Sequence, residues 1–316
     1  MTNPAVNAQN SASDAQSPET ATEIPRPKII FFGNGPLADF SKAVLTDKDE
    51  NGEPKTDVIF HARTREDLAE AAHLKRENPD AFGVLASFGV MIKSDLLELF
   101  EPEGILNLHP SLLPKYRGAS PIESAILAGD KDFSYSIMKL AKAMDAGPIY
   151  HQATLKNLPL DKTAIYQSLA EAGATWLLDN LTNIRTSQPD GTPVLHLEPT
   201  PQDSAEATFC GKLDKSMSFL QPENHTAAEL LRQIVAYQGF PKPKYDFFGK
   251  TCIILKARVL RVTDILCEAA GLDGKSGSPL MIKCVDRNFI VVEQLQPEGK
   301  KPMDAISFMN GYGKKH

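Results

Sequence analysis

The sequence has few cysteines and no long apolar run, and both absences exclude whole classes of protein. Its four cysteines all lie in the second half, none in a CxxC pair: Cys210, Cys252, Cys267 and Cys284. This spacing disfavours a structural metal site or a disulfide framework and favours buried free thiols in a reducing compartment. No stretch approaches about 18 consecutive apolar residues, so we expect no segment that spans a membrane.

The first 26 residues also lack the apolar segment of a signal peptide and the arginine-rich face of a transit peptide. They are rich in Ala, Ser, Thr, Asn and Gln, which favours a disordered tail. We therefore expect a cytoplasmic protein. The chain of 316 residues is 42% hydrophobic and 23% charged, a composition typical of a globular protein long enough for two domains with separate cores.

Charge is unevenly distributed along the chain. The formal net charge is −6, yet residues 205–316 hold 16 Lys and Arg against 12 Asp and Glu. Between Tyr237 and Arg261 basic side chains alternate with aromatic ones, which suits nucleic acid because phosphates need cations and bases offer faces for stacking. A solvated lysine face over an ordinary aromatic core explains the same letters, and the residues alone favour it.

The order of apolar segments predicts two domains. Strands at 28–32, 57–62, 82–88 and 104–109 alternate with helical segments, which indicates an α/β domain with a mostly parallel sheet and helices on both faces. We place this first domain at 27–190 and a linker at 191–206. The second domain, 207–316, contains one helix and short strands separated by turns, which indicates a small β-barrel or sandwich.

A glycine-rich turn follows the first strand, reading G-x-G-x-x-A from Gly33 to Ala38. In a βαβ unit such a turn can bind a pyrophosphate. Here the second strand ends at Arg63 and Thr64 instead of the acidic residue of an NAD site. A tight turn that needs glycine for its backbone angles is therefore the favoured interpretation, and an oxidoreductase is the last of the alternatives.

Two polar residues end the strand at 104–109. Asn107 and His109 point to the same face because side chains alternate along a strand, and Pro110 then ends the ladder. Both can donate hydrogen bonds to the oxyanion of an acyl-transfer intermediate, and Asp145, from a later turn, could orient the imidazole or accept a proton. Without a G-x-S-x-G nucleophile we expect direct transfer. The alternative is a buried pair satisfied by backbone groups.

These residues belong to a longer pattern. The run Asn107-x-His109-Pro-Ser-Leu-Leu-Pro114, with Tyr116-Arg-Gly118, Ser120-Pro121 and Asp145-x-Gly147, resembles the folate-dependent formyltransferases in order and spacing. The run from Arg117 to Asp130 is most similar to members that act on methionyl-tRNA. The resemblance continues in Ala207-Thr-Phe and in Leu295 to Met303, and covers roughly residues 28–312.

The resemblance implies a function and a set of site residues. The activity would be transfer of a formyl group from 10-formyltetrahydrofolate, without a metal, to the amino group of methionine on initiator tRNA. The implied first domain is Rossmann-like, the second is an OB-like β-barrel that contacts tRNA, and we expect a monomer. The implied catalytic residues are Asn107, His109 and Asp145. The implied folate-binding residues are Ser111, Leu112, Leu113, Pro114, Phe88, Gly89 and Met91. The candidate tRNA-binding residues are Arg63, Arg65, Lys242, Lys244, Lys256 and Arg258.

The sequence also departs from the family. The basic, glycine-rich insertion that members carry after the second strand is missing, and Ser87-Phe-Gly89 replaces the family's Ala-Tyr-Gly. The departures concern tRNA recognition rather than formyl chemistry. The nearest alternative is therefore a folate-dependent formyltransferase acting on a nucleotide-linked amino sugar, followed by an RNA-binding protein on an inactive scaffold.

Overall fold

The computed structural model describes residues 26–182, 197–263 and 279–313. The predicted tail, apart from Arg26, lies outside the described residues, as do the first part of the predicted linker and Cys267. Among the described cysteines, Cys210, Cys252 and Cys284 are free and buried, which confirms the prediction for these three. None of the described helices combines the length and apolarity needed to cross a bilayer.

The first domain is built on a six-stranded sheet in the order β2-β1-β3-β4-β6-β7. Strands β1 to β4 run parallel, whereas β6 and β7 are antiparallel to their neighbours. The strands are β1 Lys28–Gly33, β2 Asp57–Ala62, β3 Phe82–Ala86, β4 Ile105–His109, the short β5 Arg117–Gly118, β6 Phe133–Lys139 and β7 Ile149–Leu155. The helices are α1 Pro36–Leu45, α2 Leu68–Glu77, α3 Ser94–Glu98, α4 Pro121–Ala128 and α5 Lys162–Thr182.

Helices cover both faces of this sheet because its central strands are apolar on both sides. In β1 every residue after Lys28 is buried. Ile29 and Phe31 pack in the cluster that contains α1 and α5, and Ile30 and Phe32 pack in the cluster that contains residues of α2 and α3. Near-continuous apolar runs are the pattern of parallel strands buried on both faces. The predicted α/β architecture is confirmed.

The second domain contains an antiparallel sheet in the order β11-β12-β10-β9, with β13 paired to β12. Its strands are the short β8 Phe209–Cys210, which pairs with β5, then β9 Lys244–Phe247, β10 Lys250–Leu260, β11 Met281–Lys283, β12 Phe289–Pro297 and β13 Met303–Asp304; its helices are α6 Ala227–Ala236 and α7 Ala305–Tyr312. Register shifts in β10 on either side of Lys256 are bulges, which bend a strand and curl a sheet. The OB-like prediction is confirmed as an antiparallel half-barrel.

A buried polar network joins the two domains. The Lys162 Nζ atom lies 2.9 Å from Glu123 Oε1 and donates to the carbonyls of Ala236 and Gln238, also at 2.9 Å, at the end of α6. The Tyr166 hydroxyl donates to the same Glu123 oxygen at 2.9 Å, and burial raises the pKa of Tyr166 far above its usual value. Helix α6 is thereby attached to α4 and α5.

The glycine-rich turn after β1 is required by packing. A Cβ on Gly33 would lie 2.5 Å from the Ala86 carbonyl oxygen, and Gly35 has φ +85°. An NAD site would have an acidic residue at the end of β2. Here His61 lies near that end, and its Nε2 donates to the Gly33 carbonyl oxygen at 3.0 Å. Burial lowers the pKa of His61, so its ring is neutral near pH 7. The tight-turn interpretation accounts for the motif.

Candidate active site

Strand β4 places Asn107 and His109 at its carboxyl end. Each is 5% exposed, and they lie on the face of the sheet opposite Leu106 and Leu108, which pack in the cluster that contains α5. Asn107 is paired with Leu85 of β3 on one side, and β6 runs along the other. Both candidate side chains therefore stand on the rigid centre of the sheet rather than on a loop.

The ring orientation of His109 follows from its contacts. Nε2 lies 3.0 Å from the carbonyl oxygen of Tyr116. Because a carbonyl can only accept, Nε2 carries the hydrogen, and Nδ1 of the neutral ring has a free lone pair. Nδ1 lies 3.7 Å from Oδ1 of Asp145, too far for a hydrogen bond but within ion-pair distance. A proton on Nδ1 would face this carboxylate.

Asp145 lies on the turn between β6 and β7. Its backbone adopts φ +49°, a conformation that is costly for a residue with a side chain. Oδ2 accepts a hydrogen bond from the Gly118 amide at 2.8 Å. A Cβ on Gly147 would collide with the carbonyl of Lys139, so the spacing Asp-x-Gly is required for the turn to pass close to β6.

The amide of Asn107 is available to a ligand. The structure records no hydrogen bond from this side chain to any other described residue, although it is almost fully buried. Among the described residues its amide atoms are not fully buried unpaired atoms, so they remain accessible from the pocket. The alternative of a pair satisfied by backbone groups therefore fits His109 but not Asn107, and a substrate carbonyl could accept from Asn107.

The predicted folate-binding segment after β4 is fixed by hydrogen bonds from side chains of β6 and β7. Ser136 Oγ donates to the Ser111 carbonyl at 2.6 Å, and Gln152 Nε2 donates to the Leu113 carbonyl at 2.8 Å. The side chains of Ser111 and Leu113 are buried, whereas Leu112 is 41% exposed. Of these three, only Leu112 can offer its side chain to a ligand; the others would act through the backbone, beside the half-buried Pro114.

The opposite predicted wall follows β3. Phe88 is buried and packs edge-on against Phe32, with ring centroids 5.7 Å apart. Gly89 is exposed, and Met91 is 79% exposed. A ligand can therefore reach Gly89 and Met91 directly and Phe88 only through its backbone. The assignment of both walls to folate remains a prediction.

The candidate tRNA-binding residues lie in two separate places. Arg63 and Arg65 are exposed after β2, the strand at one edge of the first sheet. Lys256 and Arg258 are exposed on one face of β10 and lie 3.2 and 3.6 Å from carboxylate oxygens of the same residue, Glu293 of β12. The other two, Lys242 and Lys244, lie at the start of β9, Lys242 exposed and Lys244 partly so.

Sequence reasoning missed a part of the site that comes from residues 200–211. Strand β8 pairs in parallel with β5, so the backbone of Phe209 lies beside Arg117. The Arg117 side chain is 4% exposed and donates to Oε1 of Gln202. The only available signal was the arginine itself, because a buried arginine needs acceptors; the turn-rich residues around Gln202 indicated a linker instead.

The arrangement suits acyl transfer. It combines an unpaired amide donor, an imidazole with one free nitrogen and a carboxylate fixed by a backbone amide. Donors at an oxyanion and a base for the nucleophile's proton are the two requirements of this chemistry. Within the described residues, no three His, Cys, Asp or Glu side chains are grouped as metal ligands.

Comparisons with known proteins show the family to which the chain belongs. The sequence model of the formyl transferase family matches residues 27–181, and that of the formyl transferase C-terminal domain matches residues 212–313. The chain is 34% identical over 250 residues to the methionyl-tRNA formyltransferase of Dictyoglomus thermophilum, covering 76% of this chain and 74% of that protein. It is 32% identical over 258 residues to the methionyl-tRNA formyltransferase of Thermus thermophilus, covering 81% and 78%.

Solved structures resemble the fold at lower sequence identity. The methionyl-tRNA formyltransferase from Clostridium thermocellum matches with a TM-score of 0.57 and 16% identity, covering 86% of this chain and 99% of that chain. HypX from Aquifex aeolicus in complex with tetrahydrofolic acid matches with a TM-score of 0.66 and 18% identity, covering 92% and 48%. At this identity the likeness concerns the fold alone.

Proposed function

Since this chain belongs to the formyl transferase family, we propose that it transfers the formyl group of 10-formyltetrahydrofolate to the amino group of methionyl initiator tRNA. The observation that carries the proposal is the unpaired Asn107 amide beside the His109 and Asp145 pair at the end of β4. The choice of methionyl-tRNA as the acceptor rests on the names of relatives that are 31–35% identical to this chain. Such an enzyme would act in the cytoplasm, as a monomer.

Each catalytic side chain has a role in this reaction. Asn107 Nδ2 would donate to the formyl oxygen as the methionine amine adds to the formyl carbon and negative charge develops there. The Asp145 carboxylate would take the proton that the amine sheds as the new C–N bond forms. Asp145 would pass this proton to the facing Nδ1 of His109, whose neutral ring has a free lone pair there, and Nδ1 would deliver it to the folate nitrogen as the bond from that nitrogen to the formyl carbon breaks. No covalent enzyme intermediate is needed.

The substrates would be bound by the residues that the sequence predicts. The donor would lie between the Ser111–Pro114 segment and the segment that carries Gly89 and Met91, with Leu112 and Met91 offering apolar contact. The acceptor would be held by the exposed basic residues, since phosphate contacts supply most of the affinity for nucleic acid. Those of the second domain are Lys242, Lys244, Lys256 and Arg258, and those of the first are Arg63 and Arg65.

An amino-sugar nucleotide is not favoured as the acceptor. The structure of the sugar formyltransferase WlaRD matches with a TM-score of 0.54 and only 15% identity, covering 87% of this chain and 99% of that chain. The solved methionyl-tRNA formyltransferase is 16% identical, so the solved structures do not distinguish the two acceptors. The sequence relatives named above, at 32–34% identity, are named for methionyl-tRNA and favour that acceptor. The missing basic insertion therefore concerns how tRNA is bound rather than which acceptor is used.

The test is formyl transfer from 10-formyltetrahydrofolate to methionine-charged initiator tRNA. Wild-type protein should transfer the formyl group, and His109→Ala should lose about 10²- to 10⁴-fold in kcat. His73→Ala is the matched control, because His73 is exposed on α2 and, among the residues that the structure describes, pairs only with Glu77 at 3.3 Å. Absence of transfer by wild type, with consumption of the same donor when an amino-sugar nucleotide is supplied, would overturn the proposed acceptor.

A further inference from the structure

Residues 200–211, here called the strap, lie between the two matched ranges of the family yet run along the active site. At one end Thr200 exchanges two backbone hydrogen bonds of 2.8 Å with Ile149 of β7. Further on, Thr208 accepts from the Arg117 amide through its carbonyl at 2.9 Å and from the Tyr116 amide through Oγ1 at 2.8 Å. The strap therefore contacts the loop after β4, whose Tyr116 carbonyl accepts from His109, and the start of β7, which follows the turn that carries Asp145.

Gln202 is the strap residue that reaches the catalytic turn. Its Nε2 donates to the carbonyl of Asp145 at 2.9 Å and to that of Gly147 at 2.7 Å. Its Oε1 accepts from Nε and Nη2 of Arg117 at 3.0 and 2.7 Å. All four hydrogen-bonding positions of the carboxamide are thus used. The reversed amide would direct its oxygen at two carbonyls, so only one orientation is compatible with these neighbours.

Arg117 makes this contact rigid. Its guanidinium is 4% exposed, and within the described ranges Gln202 is its only side-chain hydrogen-bond partner and no carboxylate pairs with it. A buried charge without acceptors is costly, so the guanidinium holds the Gln202 oxygen firmly in place. The amide end of Gln202 then presents two donors at fixed positions to the Asp145 turn.

The Asp145 turn has little else to hold it. Lys142, Ala143 and Met144 are exposed, and Asp145 itself adopts a positive φ of 49°. Such a conformation persists only where surrounding contacts determine it. Apart from a 3.3 Å hydrogen bond within the turn, from the Ala146 amide to the Ala143 carbonyl, the contacts from described residues are the two donors from Gln202 on the backbone and the Gly118 amide on the carboxylate.

We propose that Gln202 is a positioning residue for formyl transfer, fixing the backbone of the Asp145 turn and thereby the place of its carboxylate beside His109. This inference rests on the proposed function in one respect: it assumes that the protein transfers a formyl group, but it does not depend on which acceptor receives that group. Gln202 touches neither catalytic side chain; it acts through the carbonyls of Asp145 and Gly147. A misplacement of about 1 Å can cost about 100-fold in rate, so the effect of losing this contact should appear in kcat.

Gln202→Glu is the sharpest variant. The new carboxylate keeps an acceptor for Arg117, so the buried charge retains a partner, but it directs an oxygen without hydrogen at the two carbonyls of the turn. We expect kcat to fall about tenfold or more, while the KM for 10-formyltetrahydrofolate changes less than about twofold. Gln202→Asn is too short to span both groups and should not rescue activity.

Gln238→Glu is the matched control. The Nε2 of Gln238 also donates to backbone carbonyls, those of Ile234, Ile254 and Leu255 at 3.0–3.3 Å, but in the second domain. The control should lose stability of similar size without the loss in kcat. Equal kcat losses in the two variants, or a wild-type kcat in Gln202→Glu, would overturn the positioning role.

Hydrogen–deuterium exchange gives a readout that needs no substrate. In Gln202→Glu the amides of residues 141–147 and of Gly118 should exchange faster than in wild type, and in Gln238→Glu they should not. Unchanged exchange in Gln202→Glu would overturn the inference even if activity falls. Failure of wild-type protein to formylate methionyl-tRNA would instead count against the proposed acceptor and leave this measurement to decide the role of Gln202.

Discussion

The two domains differ in where they keep their polar groups. The buried polar residues of the described chain are almost all in the first domain, most of them between Asn107 and Ser136, whereas Ser218 is the single example in the second. The second domain buries an apolar core around Ile254, Leu295 and Phe308 and leaves its charges on the sheet surface. Buried polar groups are costly unless fully bonded.

This difference separates two ways of contributing to one reaction. In the first domain, function would depend on internal contacts, because His109 and Asp145 are oriented by hydrogen bonds to backbone groups and the Asp145 turn is bonded to Gln202 of the strap. In the second domain, function would depend on the surface, where basic side chains meet solvent or a polyanion. Substitutions in the first should therefore change the rate or the stability strongly, and substitutions in the second should change affinity modestly.

The largest effect should come from Asp145→Ala, which removes the proposed base from the polar interior of the first domain. We expect kcat to fall about 10²- to 10⁴-fold, because neither the amine proton nor the His109 ring would have its acceptor. Folate binding, measured by titration calorimetry, should stay within about twofold of wild type, since no predicted folate contact is removed.

Asp132→Ala is the control for that variant. Asp132 is an exposed aspartate of the same domain whose carboxylate accepts from the Asn157 amide at 3.2 Å. Its loss should leave kcat unchanged. Undiminished turnover in Asp145→Ala would remove this residue from the mechanism. It would also contradict the view that function in the first domain depends on its internal polar contacts.

The next effect concerns stability. Lys162→Met would leave the buried Glu123 carboxylate with only the Tyr166 hydroxyl, and Glu123 already has one buried oxygen without a partner among described residues. We expect a loss of about 3 kcal/mol in the free energy of unfolding, as for other broken buried pairs. Urea unfolding measures it.

An exposed pair of the second domain sharpens this comparison. Lys256→Met removes one of the two basic partners of Glu293, and the Lys256 side chain is 72% exposed. The loss should be within about 0.5 kcal/mol, because surface ion pairs contribute little. Similar losses in Lys162→Met and Lys256→Met would contradict the view that the domains differ in how much they depend on polar contacts.

The local part of this design could be predicted from the sequence. The alternation along β4 placed Asn107 and His109 on one face, and the apolar runs gave the parallel sheet, because both follow from neighbouring residues. The tight turns at Gly33 and Gly147 follow equally from residue type. These local patterns gave only a candidate pair, and the prediction of an acyl-transfer site with Asp145 depended on the resemblance to the folate-dependent formyltransferases.

The remote part could not be predicted. Gln202 bonds to a turn 57 residues away and to an arginine 85 residues away. Its neighbours are turn formers, which favoured a linker, and no periodicity distinguishes a strap that crosses an active site from one that joins two domains. The free end of Asn107 and the tautomer of His109 likewise depend on which groups the tertiary fold brings near.

Charge reversal on the second sheet should have a smaller effect than either variant of the first domain. Lys256→Glu with Arg258→Glu should weaken tRNA binding about tenfold at low salt and reduce the slope of log affinity against log salt by about 2, if both side chains contact phosphates. Filter binding over a salt series measures both quantities. Arg26→Glu with Lys55→Glu is the matched control, because it reverses two ion-paired cations, the exposed Arg26 and the partly exposed Lys55, that are not among the candidate tRNA-binding residues. An equal change in the control would mean that Lys256 and Arg258 make no specific contact with tRNA and belong to a solvated face.

The smallest effect should appear in the apolar core of the second domain at high pH. Burial raises the pKa of the Cys252 and Cys284 thiols from 9.0 to about 11. Between about pH 9 and pH 11 the unfolded chain therefore loses these protons while the folded chain keeps them, so stability falls as pH rises through this window and is unaffected by these thiols below it.

Urea unfolding should show a loss on the order of 1 kcal/mol per thiol from pH 8 to pH 10, and Cys252→Ala with Cys284→Ala should remove that pH dependence while lowering stability at both pH values. An unchanged pH dependence in the double variant would mean that ionisable groups other than these thiols govern the alkaline stability of this domain, which would weaken its contrast with the polar interior of the first.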